Sequence, residues 1–300
     1  MARILLTGGS GQVGGELLKT LAQLGEVVAP GHGELDLSNM DAVRHIVHEL
    51  RPRWIVNSAA YTAVDKAETE AELAYTVNRD AVSVMGEEAR AIGAGMVHFS
   101  TDYVFDGMKN DFYDEEDATA PMSVYGGSKL AGEQALATSG AAHMIFRTSW
   151  VYGASGKNFL RTILRLACER EVVRVVADQH GAPTWSRDLA RMTAHVIAQV
   201  EAKAAGRNPG ETGDGWSGIY HAAAAGETTW HGFAVEAVRL AAERGPSARF
   251  ARVEPISTAE YPTPAKRPAN SRLRCAKLED RFGWTMMDWH DSLREVMSEL

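Results

Sequence analysis

Residues 1–21 read MARILLTGGSGQVGGELLKTL, a short apolar run, five glycines in eight residues, then leucines at helical spacing. Ile4, Leu5 and Leu6 make too short a run for a helix and end at glycine, which predicts a buried strand. Beyond the glycines, Leu17, Leu18, Leu21 and Leu24 fall on one helical face that Gly25 stops. Gly8, Gly11 and Gly14 give G-x-x-G-x-x-G, a looser relative of the G-x-G-x-x-G dinucleotide fingerprint. By itself the segment leaves two readings open, a phosphate-binding turn or a flexible link.

The alternation recurs along the chain. EVVAP (26–30) predicts a second strand, NMDAVRHIVHELRP (39–52) a helix and RWIVNSAA (53–60) a third strand. A long helix is expected over EAELAYTVNRDAVSVMGEEARAIG (70–93), ending at Gly93. AGMVHFST (94–101) and AHMIFRTSW (142–150) are further strands, separated by the helical SVYGGSKLAGEQALATSG (123–140). Runs this uniformly apolar, alternating with helices, predict an α/β protein with a Rossmann-type doubly wound parallel sheet covered on both faces. Ligands of such sheets bind at the carboxyl ends of the strands, where Gly8, Ala59, Ser100 and Arg147 or Ser149 would lie.

After Trp150 the rhythm loosens. Helices are expected over NFLRTILRLACER (158–170), SRDLARMTAHVIAQVEAKAAG (186–206) and HGFAVEAVRLAAERG (231–245). The stretch 204–218 reads as a glycine-rich surface loop, and 254–273 carries too much proline for regular structure. We therefore expect a dinucleotide-binding domain over 1–147, to which part of 183–205 returns, and a smaller, mainly substrate-binding lobe over 148–300.

The chain has 300 residues, 45% apolar and 23% charged, ordinary for a globular protein with a sizeable core. A formal charge of −8 disfavours a general nucleic-acid partner, because such binding needs clustered cations. Cys168 and Cys275 are far apart and outside any C-x-x-C or His-rich context, which argues for reduced thiols and against a zinc site. No stretch approaches the roughly 18 apolar residues of a membrane span, and no signal-peptide pattern precedes the first strand, so a cytoplasmic protein is expected.

Tyr125 and Lys129 lie four apart in an expected helix, so phenol and ammonium share a face. An ammonium beside a phenol favours the phenolate and brings proton exchange closer to neutral pH. Gly126 and Gly127 between them each cost about 1 kcal/mol in a helix interior, which suggests a close approach to the backbone there. Ser100, Thr101 and Asp102 follow a buried strand, where a hydroxyl can bond a substrate carbonyl or the phenol, or merely cap the next turn.

Taken together, the glycine-rich first turn, Thr101 after the fourth strand and Tyr125-x-x-x-Lys129 resemble the extended short-chain dehydrogenases/reductases. NSAAYTAVDKAE (57–68), STDYVFDG (100–107), VYGGSKLAGE (124–133), FRTSWVYG (146–153), DQHGAPT (178–184) and YPTPAKRPANSRL (261–273) are similar, within them, to the dTDP-4-dehydrorhamnose reductases. The resemblance implies NAD(P)H-dependent reduction of the C4 keto group of dTDP-4-dehydro-L-rhamnose. It makes Tyr125 the proton donor to the C4 oxygen, gives Lys129 the nicotinamide ribose as well as the Tyr125 pKa, and has Thr101 position the carbonyl. Gly8, Gly11, Gln12, Val13 and Gly14 would cradle the cofactor pyrophosphate at a helix N-terminus. Asp36 and Leu37 would flank the adenine, and Ala59 and Ala60 would complete the cofactor side. Asp102, Tyr103 and Trp150 would line the sugar site, with core packing the plainer reading of Trp150, and Arg267 would meet the nucleotide diphosphate.

NADPH or NADH is the expected cofactor. Asp36 has the spacing of an acid on the NAD ribose, but it follows GHGEL and not the VVAP strand, and His32 stands in that loop. Some members of the family hold magnesium between carboxylates at a subunit contact. Glu16 keeps the first of those positions, whereas Arg187 in GAPTWSRDLA stands at the second, so no metal is expected here. Arg187 could instead pair with a carboxylate such as Glu16. The resemblance also leaves room for a homodimer, and it implies a nucleotide-sugar substrate with no nucleic acid and no membrane. Another nucleotide-sugar epimerase or dehydratase is the runner-up, although no Glu completes the acidic pair of dehydratases after Asp102. A non-catalytic cofactor-binding regulatory subunit is the third reading, against which the retained Thr101, Tyr125 and Lys129 argue.

Overall fold

The computed structural model describes residues 2–204, 206–211, 215–245 and 249–300. Strands β1 (Arg3–Thr7), β2 (Glu26–Val28), β3 (Trp54–Asn57), β4 (Gly95–Thr101), β5 (Ala142–Thr148) and β6 (Gly218–His221) form one six-stranded sheet in the order β6-β5-β4-β3-β1-β2. Every neighbouring pair is parallel. Strand order reverses between β1 and β3, and in such sheets the crevice outside that point is where ligands bind.

Side chains alternate across β1, and each set meets its own helical layer. Helices α1 (Gln12–Leu21), α2 (Met40–Leu50), α3 (Ala81–Ile92), α4 (Val124–Ser139), α5 (Phe159–Glu169), α6 (Ser186–Ala204), α7 (Trp230–Arg244), α8 (Ala276–Phe282) and α9 (Trp289–Glu299) follow in chain order. On one face Ile4, Leu6, Val56 and Val97 pack with Leu17 and Leu21 of α1, Val196 and Ile197 of α6 and Leu278 of α8. On the other, Leu5, Ile55 and Met96 pack with Val43 and Val47 of α2, Met85 of α3 and Leu136 of α4. Burial on both faces explains why β3 begins with an unbroken apolar run and why every residue of β4, His98 included, is buried.

The helix expected over 70–93 differs in one respect. Ala71–Tyr75 runs into a π-helical turn at Thr76–Asp80 before α3 begins, and Gly93 ends α3 in the left-handed region. The π turn pushes the Asn78 carbonyl against α4, where a Cβ on Gly132 would lie 2.0 Å from it. Asn78 also accepts from Tyr61 N at 2.8 Å and donates to the Ser128 hydroxyl at 2.9 Å. This turn therefore seats α4, the helix carrying Tyr125 and Lys129, against its neighbour.

A second core gathers Tyr152, Trp185, Phe233 of α7 and Trp289 and Leu293 of α9. Beside it, Val172–Val176 pairs in parallel with Arg252–Ile256. That strand takes in the first residues of the stretch read as too proline-rich for regular structure; Pro255 is accommodated because the ladder has only two strands, both edges. Helix α6 packs along α1, and β6 extends the main sheet beyond β5. The stretch read as surface loop holds the buried Trp216, whose ring lies 5.5 Å from that of Trp54, and ends where β6 begins. Residues 205 and 212–214 of that loop lie outside the described residues.

Candidate active site

A cleft of about 990 Å³ opens over the carboxyl ends of β1, β3, β4 and β5. Thr7, the turn from Gly8 to Val13, Asp36, Leu37, Ala59 and Ala60 line one end; Thr101, Asp102, Tyr103, Tyr125, Lys129 and Trp150 line the other. Most of the expected site residues are thus brought together. Gly14 stands behind the turn, and Arg267 is outside the lining.

The glycine turn is shaped by close approach. Gly8 has φ +74, and a Cβ there would lie 2.7 Å from Ala59 N, while one on Gly14 would lie 2.0 Å from the Gly8 carbonyl. Gly11 caps α1 without a side-chain hydrogen bond, and the first turn carries no acid. An uncapped, acid-free N-terminus with glycine at its close contacts fits the pyrophosphate of a dinucleotide. Gln12 is held at this end by Asn158, the N-cap of α5, whose amide donates to it at 2.9 Å. At the adenosine end Asp36 accepts from Ser38 N and Oγ at 2.8 and 2.9 Å, and Leu37 is buried.

Ser123 caps α4 and sets the phase that turns Tyr125 and Lys129 into the cleft. The two glycines between them meet close neighbours: a Cβ on Gly126 would lie 2.3 Å from the Tyr103 carbonyl, and one on Gly127 2.9 Å from the Tyr75 hydroxyl. Lys129 is buried and donates to the Phe99 carbonyl at 2.7 Å, with His98 Nε2 at 3.2 Å. Burial pushes its amine down to about 8, against the pull of Glu133. Burial pushes the Tyr125 phenol up to about 12; the Thr101 hydroxyl opposes the rise and the charge of Asp102 adds to it. The Thr101 hydroxyl also donates to Asp102 at 3.1 Å and accepts from Tyr103 N at 3.2 Å, so it caps the turn as well as facing the cleft. Asp102 is buried, which pushes its carboxyl up to about 6 against the hydroxyls of Ser271 and Thr101.

Trp150 holds a left-handed backbone, φ +48, and stacks on Trp230 with ring centroids 3.8 Å apart. Trp230 lines the cleft 80 positions along the chain, and no local motif marked it. Arg147, one candidate for the ligand end of β5, is turned away: it pairs with Glu133 of α4 at 2.7 Å, both buried. Ser100 lines the cleft, but its hydroxyl is committed to the same carboxylate. Ser149 lines the cleft and donates to the Ala182 carbonyl at 3.1 Å. Arg267 donates to Asp65 at 2.8 Å and to the Ala265 carbonyl at 3.3 Å, a buttressed position outside the cleft wall. Among the described residues no three His, Cys, Asp or Glu side chains gather as a metal site, and no helix is long and apolar enough to cross a membrane.

The family described as RmlD substrate binding domain matches residues 2–300. A dTDP-4-dehydrorhamnose reductase of Burkholderia thailandensis is 48% identical over 99% of this chain and 100% of its own length. The enzyme of that name from Escherichia coli K12 is 44% identical, covering 99% and 97%. A crystal structure of dTDP-4-dehydrorhamnose reductase from Bacillus anthracis in complex with NADP superposes with a TM-score of 0.89 at 34% identity, covering 100% of this chain and 99% of that one. With the glycine cradle and the Thr101, Tyr125 and Lys129 constellation in one cleft, these likenesses make the chain a member of the dTDP-4-dehydrorhamnose reductase family.

Proposed function

We propose that this protein reduces the C4 keto group of dTDP-4-dehydro-L-rhamnose, giving dTDP-L-rhamnose, with NADPH or NADH. The observation that carries the reading is the convergence of Thr101, Tyr125 and Lys129 in the cleft that the Gly8–Val13 turn opens. When bound, the reduced nicotinamide supplies the hydride. Gly8, Gly11, Gln12 and Val13 would hold its pyrophosphate, with Gly14 packed behind the turn, Asp36 and Leu37 would flank its adenine, and Ala59 and Ala60 would close that side. A phenol raised to about 12 keeps its proton at neutral pH, so Tyr125 is loaded to protonate the carbonyl oxygen as charge develops there. Thr101 orients that oxygen, and Lys129 holds the nicotinamide ribose. Asp102, Tyr103 and the Trp150 ring enclose the sugar, and Arg267 meets the diphosphate at the cleft edge. We place the enzyme in the cytoplasm as a homodimer.

The test is loss of NADPH or NADH absorbance on adding dTDP-4-dehydro-L-rhamnose, with the UDP and GDP analogues beside it. Turnover with the dTDP sugar and little with the others is expected. No oxidation of either cofactor by any of the three sugars would overturn the reading.

A further inference from the structure

At the end of the cleft that holds Tyr125, the rings of Trp150 and Trp230 stack with centroids 3.8 Å apart and planes within 15° of each other. The backbone of Trp150 is fixed without help from that stack. Thr184 N donates to the Trp150 carbonyl at 3.3 Å, and Ser149 Oγ donates to the Ala182 carbonyl at 3.1 Å. These contacts hold residue 150 at φ +48, a left-handed conformation that a tryptophan keeps only where its surroundings over-determine it. They leave the side-chain torsions of the indole open, and the direction of the ring is then set by what packs on it.

What packs on it comes from one short ladder. Thr228–Thr229 pairs antiparallel with His180–Gly181, Thr229 caps α7, and Trp230 is the first residue of that helix. Gly181 lies against the indole, so that a Cβ there would stand 2.7 Å from Cε2 and 2.8 Å from Cζ2 of Trp150. Trp230 covers a face of the same ring and is itself backed by Phe159 of α5, with centroids 4.6 Å apart. Nothing among the described residues accepts from the Trp150 indole N–H, and that group is not sealed from solvent as the indole N–H groups of Trp284 and Trp289 are. An unengaged donor on a ring that lines a cleft is one that a ligand oxygen can take.

We propose that Trp230 is a positioning residue for the sugar: together with Gly181 it clamps the Trp150 indole and holds Nε1–H where an oxygen of the nucleotide sugar accepts it. The proposal rests on the reading of Trp150 as a wall of the sugar site. A flat ring is what the clamp requires, because stacking restrains the indole over its whole area where an aliphatic side chain would touch it at a few points. Trp230 acts through Trp150, so its loss weakens the hold on the sugar in ground state and transition state alike and leaves proton delivery from Tyr125 unchanged.

The test compares Trp230→Ala, Trp230→Phe, Trp150→Phe and Trp150→Phe combined with Trp230→Ala. Trp230→Ala is expected to raise KM for dTDP-4-dehydro-L-rhamnose about tenfold, with kcat within about threefold and NADPH affinity, titrated directly, within about twofold of wild type. Trp230→Phe keeps a flat ring and should return KM to within about threefold of wild type. The combined variant should have a KM no more than about twofold above that of Trp150→Phe alone, since both changes remove one interaction. A KM within about twofold of wild type in Trp230→Ala overturns the proposal. So does an additive combined variant, which would make Trp230 a sugar contact in its own right. Should Trp230→Ala fail to fold, Trp230→Leu, which keeps apolar bulk without a flat face, takes its place with the same expectations. In protein without substrate, the 1H–15N signal of the Trp150 indole, assigned by its loss in Trp150→Phe, should be single and sharp in wild type and should shift and broaden in Trp230→Ala; an unchanged signal overturns the clamp. An unchanged KM in Trp150→Phe would overturn the reading of Trp150 itself, and the proposal with it, so the two failures are told apart.

Discussion

Arg187 of α6 closes on Glu16 of α1, Nε to Oε2 at 2.9 Å, and extends the same guanidinium to Glu299 of α9, with Nη2 to Oε2 at 2.9 Å. Burial pushes the Glu16 carboxyl up, but hydrogen bonds and charge from Arg187 and Lys19 outweigh it and hold the carboxyl below its usual range. A cation of the chain's own therefore occupies the space between these two carboxylates, where a hard dication would need several oxygen ligands. Activity and oligomeric state are expected to survive exhaustive EDTA treatment, read by turnover and light scattering before and after chelation. Activity that disappears with EDTA and returns with magnesium would contradict this.

Tyr125→Phe removes the proposed proton donor and keeps the ring that packs edge-on against Tyr103 at 5.6 Å. Turnover should fall by about 10²–10⁴-fold with cofactor affinity little changed. A variant within about threefold of wild type would take Tyr125 out of the proton-transfer step.

Asp102 gives a pH signature in stability. Its carboxyl is raised from 3.8 to about 6, so the folded protein binds this proton more tightly than the unfolded chain. The contribution of the neutral carboxyl is full below about pH 4 and is lost as pH rises through 6. Asp102→Asn has no such titration. Its stability relative to wild type should grow by about 2.4 kcal/mol between pH 4 and pH 7.5, while turnover falls. Urea melts across that range would show it; a difference independent of pH would mean the carboxyl is not strained by burial.

Arg267→Ala should raise KM with kcat nearly unchanged, because contacts to a diphosphate are similar in ground and transition states. Asp65→Ala, which removes the anchor of that guanidinium, should move KM in the same direction by less. A fall in kcat at constant KM would place Arg267 at the reacting centre instead.

What could be read from the sequence was local in origin. The buried runs 4–7, 54–57 and 95–101, the first of them stopped by Gly8, are set within a few residues, so the parallel sheet was legible. So was the shared face of Tyr125 and Lys129, which needs only helical spacing. The rest arises between distant segments. Trp230 meets Trp150 only because α7 folds back over the cleft, and Arg147 turns from the ligand end because Glu133 waits on the adjoining helix. The partners that hold Lys129, the Phe99 carbonyl and the His98 ring, come from a neighbouring strand and were hidden for the same kind of reason. Strand β6 escaped notice because four residues, GIYH, carry too little pattern to mark a strand.

The position of β6 matters during synthesis. Strand β5 ends at Thr148 and its outer partner begins at Gly218, about 70 residues later, after the whole of α5 and α6 has been made. Until those residues leave the ribosome, the nascent amino-terminal half carries a bare β5 edge and a sheet face that α6 has yet to cover, a surface open to pairing with another chain. The enzyme's most vulnerable species is thus a ribosome-bound half-protein, and variants that weaken β6 would be expected to cost soluble yield before they cost catalysis.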